Sequence, residues 1–375
     1  MAKPRVVHVY KDFWPPIVGG IERSINWMIG GLRERFDFTV LVNSRTSKTS
    51  ERDWDGVRII EVGEWGRVQS APVSPWFPLW LRKLEADIWH FHIPNPTGDL
   101  SWWLARPRGK VVCTYHSDIV RQKGALRYYR PFLRNFLSNC DAIMPTSPRL
   151  IEASPLLTRF REKCRPVPLG MPMKPFEKTA QMAVRSKEIK KRYRGLPIIL
   201  FVGKLRYYKG LQFMVSAMRA FPQVRFLIIG EGPEGPKLQR LAAEFELNDR
   251  VIFLGELNDE DVIAHLHAAD MFVLPSHLPS EAFGLSQVEA MACGVPVISC
   301  DLPTGVPYVN QNEVTGYIVF PGSDVTLANA VSEMLANSKL KFAMGEAALR
   351  RAHSEFSQEV MCERIGKVYD EVIAR

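Results

Sequence analysis

The amino-acid sequence predicts an α/β protein built as two domains, each a parallel sheet wrapped by helices. Three observations carry that prediction. The chain has 375 residues, beyond the size at which a single hydrophobic core keeps growing. Short β-branched and apolar runs alternate with stretches of helical period along almost its whole length. The alternation breaks once, across a Lys-, Arg- and Pro-rich stretch at 171–195, and then starts afresh.

The first predicted strand covers 5–10, and a Pro-Pro-x-x-Gly-Gly loop follows at 15–20. Ile25, Met28, Ile29 and Leu32 then fall on one helical face. Further strands are predicted at 38–42, 57–62, 88–92, 110–115 and 142–146. The start of 171–195 is the expected linker. Beyond it, strands at 198–202, 225–229, 251–254, 271–274 and 296–299 alternate with helices at 211–220, 236–245, 259–268 and 286–292. A last helix, 358–375, sets Met361, Ile365, Val368 and Val372 on one side. The expected division is 1–170 and 171–357, with 358–375 packing back toward the first domain. Parallel sheets of this kind take ligands at the carboxyl ends of their strands, so two Rossmann-like domains facing a cleft are expected.

Composition narrows the class. Apolar residues make up 46% and charged residues 24%, as in folded globular proteins, and no apolar run is long enough to cross a membrane. The N-terminus enters its first strand without the order of a secretory signal, which points to the cytoplasm. Six scattered cysteines with no C-x-x-C read as reduced, buried thiols rather than disulfide or metal ligands. The net charge of +9 is uneven: 121–165 holds ten Lys/Arg against three Asp/Glu, and all nine Trp lie at or before position 103. The first half is therefore expected to meet something anionic. Leu126, Tyr129, Phe132, Leu133, Phe136, Leu137 and Cys140 make an apolar side interleaved with Arg127, Arg130 and Arg134, a pattern suited to an anionic membrane surface. Trp76, Phe77, Trp80, Trp102 and Trp103 would help if exposed. The alternative is that the apolar side packs on its own domain. No nucleic-acid motif accompanies the charge, so nucleic acid is not expected as a partner.

The most informative segment runs from Ser280 to Ile298 and follows the strand at 271–274. Glu281 sits in its loop and Glu289 two turns into the next helix. Between them, Phe283, Gly284 and Leu285 would present backbone N–H groups at a helix N-terminus, where an anion such as a diphosphate is favoured. Carboxylates at either end can accept hydrogen bonds from sugar hydroxyls. Taken singly, Glu281 reads equally well as a helix cap and Glu289 as a solvated helix charge.

The whole string resembles the E-x7-E signature of the GT4 family of retaining glycosyltransferases, which have the GT-B fold. The resemblance extends over nearly the whole chain. Residues 15–22 are similar to the family's N-terminal glycine loop, 201–210 to its basic phosphate loop, and Gly230-Glu231-Gly232-Pro233 to the turn near the nucleotide base. It implies that Glu281 and the amides of Phe283 and Gly284 bind the transferred sugar, that the amide of Leu285 meets the diphosphate, and that Glu289 holds the ribose. It further implies that Lys209 and Lys204 neutralise the diphosphate, with Gly19 and Gly20 approaching from the other domain and Gly232 near the base. Lys204 stands where the family usually has Arg, a point charge in place of a planar fork. His116, at the carboxyl end of the strand at 110–115, matches a family histidine that approaches the donor sugar; Asp118 is a weaker candidate. The donor would be a nucleotide sugar, with GDP-mannose favoured over UDP-glucose or UDP-N-acetylglucosamine, and the acceptor lipid-linked or a polysaccharide. Rival readings are a nucleotide-sugar epimerase of the same fold and a scaffold without turnover.

Two literal motifs are set aside. Gly230-Glu231-Gly232-Pro233-Glu234-Gly235 spells the dinucleotide-binding pattern, but its prolines stiffen a turn that must wrap a pyrophosphate. Asp53-Trp54-Asp55 spells a metal-holding D-x-D but reads as a solvated turn. No metal is expected.

Overall fold

The computed structural model describes residues 2–15, 17, 19–68, 71–119 and 123–375; Pro16, Val18, Arg121 and the side chain of Leu126 lie outside the described residues. The chain divides into two compact units, one of residues 1–171 with 358–375 and one of residues 172–357.

In the first unit a seven-stranded sheet runs in the order Ser50–Trp54, Val57–Val62, Asp37–Asn43, Arg5–Val9, Ile88–Ile93, Lys110–Tyr115, Ala142–Pro145. Every pair is parallel except Ser50–Trp54 with Val57–Val62. That antiparallel edge hairpin turns on Asp55-Gly56, both at positive φ (52° and 77°), as a tight Asp-Gly turn requires. The D-x-D is therefore a strand end and hairpin tip: Asp53 accepts from Gly56 N–H and Asp55 pairs with Arg33. The central strand Ile88–Ile93 is buried throughout, with Trp89 and Phe91 in the large apolar cluster on one face and His90 and His92 on the other.

The helix Gly20–Leu32 buries Ile25, Met28, Ile29 and Leu32. The carboxyl-terminal helix Gln358–Ile373 lies against it. There Gln358 donates to Trp27 O at 2.7 Å, and a Cβ on Gly31 would fall 2.5 Å from Cys362 Sγ. Arg35 clamps Asp370 through two hydrogen bonds, and Arg165 pairs with Glu371.

The helix Lys123–Asn139 turns its apolar side inward: Leu133, Phe136 and Leu137 are buried, as are Phe77 and Trp102. The expectation of an apolar face toward a membrane is corrected accordingly, because the unit's own core claims those side chains. Arg127, Arg130 and Arg134 remain exposed, as do Trp76, Trp103 and Phe132, the last two in edge-to-face contact. Among the described residues no helix is long and apolar enough to cross a membrane.

In the second unit six parallel strands run in the order Val251–Gly255, Arg225–Ile229, Ile198–Val202, Met271–Leu274, Val297–Cys300, Gly316–Val319. The 171–195 stretch, low in apolar periodicity, nonetheless forms the helix Ala180–Arg192, capped by Thr179. The cysteines are all free thiols.

Candidate active site

In the second sheet the strand order reverses between Ile198–Val202 and Met271–Leu274, the switch point at which open α/β sheets leave a crevice for ligands. The loop after the first of these strands carries Lys209, and the loop after the second carries Glu281. Gly210 joins the loops: at φ 67°, a Cβ there would fall 2.1 Å from the carbonyl oxygen of Pro275, and His277 N–H donates to Tyr208 O. The consequence is an ion pair of 2.6 Å between Lys209 Nζ and Glu281 Oε2, with the two side chains 10% and 9% exposed. Ser276 Oγ donates to the same oxygen at 2.8 Å. Burial by itself would lower the Lys209 pKa, but Glu281, Tyr208 and Glu289 outweigh it and raise the value above the ordinary ammonium range. Lys209 is thus a fixed positive charge.

The helix Leu285–Ala292 begins just beyond, with Gly284 as its cap at φ 76° and ψ 61°. The Phe283 ring is buried edge-on against Phe356, so only its backbone faces the turn. Gln287 holds that turn, donating to Phe283 O at 2.8 Å and Val306 O at 3.3 Å, while Gly305 N–H binds Ala282 O. Amides of a first helical turn lack intrahelical partners and carry the positive end of the dipole. Glu289, half-buried in this helix, acts electrostatically on Lys209. Lys204 is exposed.

The rejected glycine pattern has a packing explanation. A Cβ on Gly230 would fall 2.3 Å from Gly203 O, and one on Gly232 2.4 Å from Leu205 O. The glycines let the 230–235 turn lie on the basic loop. Between that turn and the strand Val251–Gly255 is a cavity of about 460 Å³ lined by Leu205, Glu231, Gly232, Gln239 and Gly255 among others.

In the first unit Gly19 caps the helix Gly20–Leu32 in extended conformation, and Glu22 folds so tightly that a Cβ on Gly19 would meet its carboxylate. His116 is 3% exposed, and its backbone N–H bonds Ile93 O. Its imidazole Nε2 lies 3.3 Å from His92 Nδ1, and His92 Nε2 lies 2.9 Å from His8 Nδ1. Burial drives the His8 and His116 pKa values down to about 3 and the His92 and His90 values well below the usual imidazole range. Asp118 accepts from Tyr115 Oη at 2.5 Å and Ser154 Oγ at 2.8 Å, the partners of a loop brace.

Among the described residues one group of three could approach a metal ion, His8, His90 and His92. The fit is poor. His90 spends both ring nitrogens on Tyr369 Oη and Thr114 Oγ1, and His8 and His92 bond each other, with no carboxylate in the group to balance a cation.

The structure thus brings Lys209, Glu281 and the 283–285 turn together, and places Gly19, Gly20 and His116 in the other unit. Ser276 and His92 escaped the sequence reading, and Glu231 entered it only as a member of the glycine turn. The signal for His92 was available: two histidines at alternate positions of the apolar run Ile-Trp-His-Phe-His-Ile share one strand face.

Two family models match, Glycosyltransferase Family 4 over residues 18–172 and Glycosyl transferases group 1 over residues 184–351. The chain is 32% identical to the O-antigen chain mannosyltransferase C of Escherichia coli, over 97% of this chain and 98% of that protein. It belongs to the GT4-type glycosyltransferases. It is also 33% identical to the D-rhamnosyltransferase WbpZ of Pseudomonas aeruginosa, over 94% of this chain and 92% of that one. Among solved structures, sucrose-phosphate synthase from Thermosynechococcus elongatus superposes with a TM-score of 0.82 at 22% identity, covering 99% of this chain and 100% of that one. The two Rossmann-like sheets are those of a GT-B glycosyltransferase, and the chain is a hexosyltransferase.

Proposed function

We propose that this GT4-type enzyme transfers mannose from GDP-mannose to a lipid-linked or polysaccharide acceptor, with retention at the anomeric carbon. The observation that carries the reading is the Lys209–Glu281 pair at the sheet's switch point, next to the N-terminus of Leu285–Ala292. Residues 172–357 bind the donor: Glu281 and the amides of Phe283 and Gly284 take the sugar, Lys209, Lys204 and the Leu285 amide the diphosphate, and Glu289 the ribose. Residues 1–171 with 358–375 bind the acceptor and contribute His116, Gly19 and Gly20. The acceptor oxygen bonds to the anomeric carbon on the face the diphosphate leaves, and its proton passes to a phosphate oxygen. The fixed ammonium and helix amides stabilise the departing charge without a metal.

The base cavity supports guanine. The Glu231 carboxylate only accepts hydrogen bonds, and the guanine edge offers two adjacent donors, N1–H and the 2-amino group. Uracil offers one N–H flanked by two carbonyl oxygens, which a carboxylate repels. Mannose is supported by the likeness to an O-antigen mannosyltransferase. The likeness to a D-rhamnosyltransferase supports a second reading, the 6-deoxy sugar on the same nucleotide. A cytoplasmic enzyme resting on the inner membrane face is supported by the exposed Arg127, Arg130 and Arg134 near Trp103 and Phe132.

Thermal stability of the purified protein against nucleotides and nucleotide sugars, in chelator, tests the donor. GDP and GDP-mannose should raise the midpoint by linkage. A shift with UDP compounds alone would replace the base, a shift with GDP-rhamnose but not GDP-mannose the sugar, and a shift with NAD alone would overturn the reading. Turnover of GDP-mannose without acceptor to an epimer, followed by NMR, would put an epimerase in its place.

A further inference from the structure

The first sheet also has a switch point, between Arg5–Val9 and Ile88–Ile93, and a row of buried imidazoles crosses it. His8 and His92 come from the two strands at the switch, and His116 follows the next strand, Lys110–Tyr115. The three rings lie edge to edge with interplanar angles of 20° and 24° and centroid separations of 5.2 and 5.5 Å, joined by the two nitrogen–nitrogen contacts of 2.9 and 3.3 Å. Both ends of the row are orphaned: among the described residues neither His8 Nε2 nor His116 Nδ1 has a hydrogen-bond partner.

Three neutral rings carry three protons. Each nitrogen–nitrogen contact uses one, so the third sits on an end of the row. Donation by both outer rings into His92 would make it an anion, and donation by His92 to both would make it a cation; neither survives at zero exposure. The protons therefore all point one way. With the end proton on His8 Nε2, an N–H would sit at a buried atom with no acceptor among the described residues, in a ring whose centroid is 4.6 and 5.4 Å from those of His90 and Phe38. A buried N–H without an acceptor is the rarer and costlier orphan. With the end proton on His116 Nδ1, the orphan at His8 is a bare nitrogen; the His116 N–H is buried as well, but it stands at the carboxyl end of a strand, where sheets of this kind receive a ligand that can accept it.

We propose that the row His8–His92–His116 fixes His116 as a neutral imidazole protonated on Nδ1, an obligate hydrogen-bond donor to a substrate oxygen, with His92 as its positioning residue. This rests on the reading of His116 as part of the transfer site. It assigns His116 to holding a sugar or phosphate oxygen and removes it from the acid–base step, since Nε2, its only lone pair, is committed to His92.

Two measurements test the proposal. In long-range proton–nitrogen NMR spectra of protein labelled with nitrogen-15 histidine, with His116→Gln supplying the assignment, His116 should show a protonated Nδ1 and a bare Nε2 across neutral pH. The opposite tautomer in the wild-type spectrum overturns the proposal without any further variant. In kinetics, His92→Leu should cut kcat by about 10- to 100-fold, the range of partners that orient a functional histidine, while the GDP dissociation constant stays unchanged. His92→Asn, whose amide N–H takes the place of Nδ1 and can donate to His116 Nε2, should recover most of the loss. Wild-type kcat in a folded His92→Leu protein, or equal damage from Leu and Asn, would also overturn it. If His116→Gln itself turns over normally, the placement of His116 in the transfer site fails, and the spectrum still reports whether the row fixes the tautomer.

Discussion

Mild acid should destabilise the first unit of this protein. His8, His90, His92 and His116 are at most 3% exposed, and burial holds all four neutral far below the usual imidazole pKa. Their folded pKa values are depressed, so the stability they contribute is complete above the unfolded value of 6.5 and is lost as pH falls from there toward about 3. At pH 5.5 the unfolded chain gains about 1–1.5 kcal/mol for each ring it can protonate, or ~5 kcal/mol for the four. Asp99 opposes this. Burial raises its pKa to about 8, so moving from pH 7.5 to 5.5 favours its folded, neutral form. That gain is ~2 kcal/mol, which leaves a net loss of ~3 kcal/mol, a large share of a typical domain's stability. Since all nine tryptophans lie at or before position 103, tryptophan fluorescence reads the first unit alone. Urea titrations followed by this signal should give an unfolding free energy ~3 kcal/mol smaller at pH 5.5 than at pH 7.5. A change below about 1 kcal/mol would refute the claim that four neutral imidazoles are locked in the fold.

Three further outcomes are expected. Lys209→Met strands the Glu281 carboxylate at 9% exposure with Ser276 Oγ still donating to it, and should cost about 3–5 kcal/mol by urea unfolding. Adding Glu281→Leu should restore stability but leave GDP unable to raise the melting temperature; restored nucleotide binding would sink the diphosphate role. Gly210→Ala should cost about 1–2 kcal/mol from its left-handed backbone alone, and its clash with Pro275 O should push the Lys209 and Glu281 loops apart, so the GDP dissociation constant should rise by calorimetry. Glu231→Gln should narrow the preference for GDP over UDP in the same assay, and an unchanged ratio would mean that the base is read elsewhere.

Much of this was legible in the sequence, for identifiable reasons. The parallel strands announced themselves because both their faces are buried, which makes them continuous apolar runs such as Ile198–Val202. The E-x7-E string was legible because loop, helix start and carboxylates are contiguous in the chain. The helix Ala180–Arg192 was missed because only Met182, Ser186 and Ile189 are buried on it, too few to set a period against so many lysines. The edge strand Ser50–Trp54 was missed because its charges are solvated and its pairing partner is what makes it a strand. Ser276 and His92 act through contacts that only the folded chain brings together. On Lys123–Asn139 the apolar side holds at Leu133, Phe136 and Leu137 while Phe132 is exposed, and sequence does not say what covers a face.

The carboxyl-terminal helix has a consequence for how the molecule is made. Gln358–Ile373 supplies Tyr369 to His90 and covers the helix Gly20–Leu32, so the unit whose synthesis begins first lacks a wall until residues 358–373 have been translated. The later unit, residues 172–357, is contiguous and can close as soon as it leaves the ribosome. The order of assembly is thus the reverse of the order of synthesis. A product stalled before residue 358 would carry a finished 172–357 unit and a first unit still open along Ile25 and Met28, a species well suited to capture by chaperones.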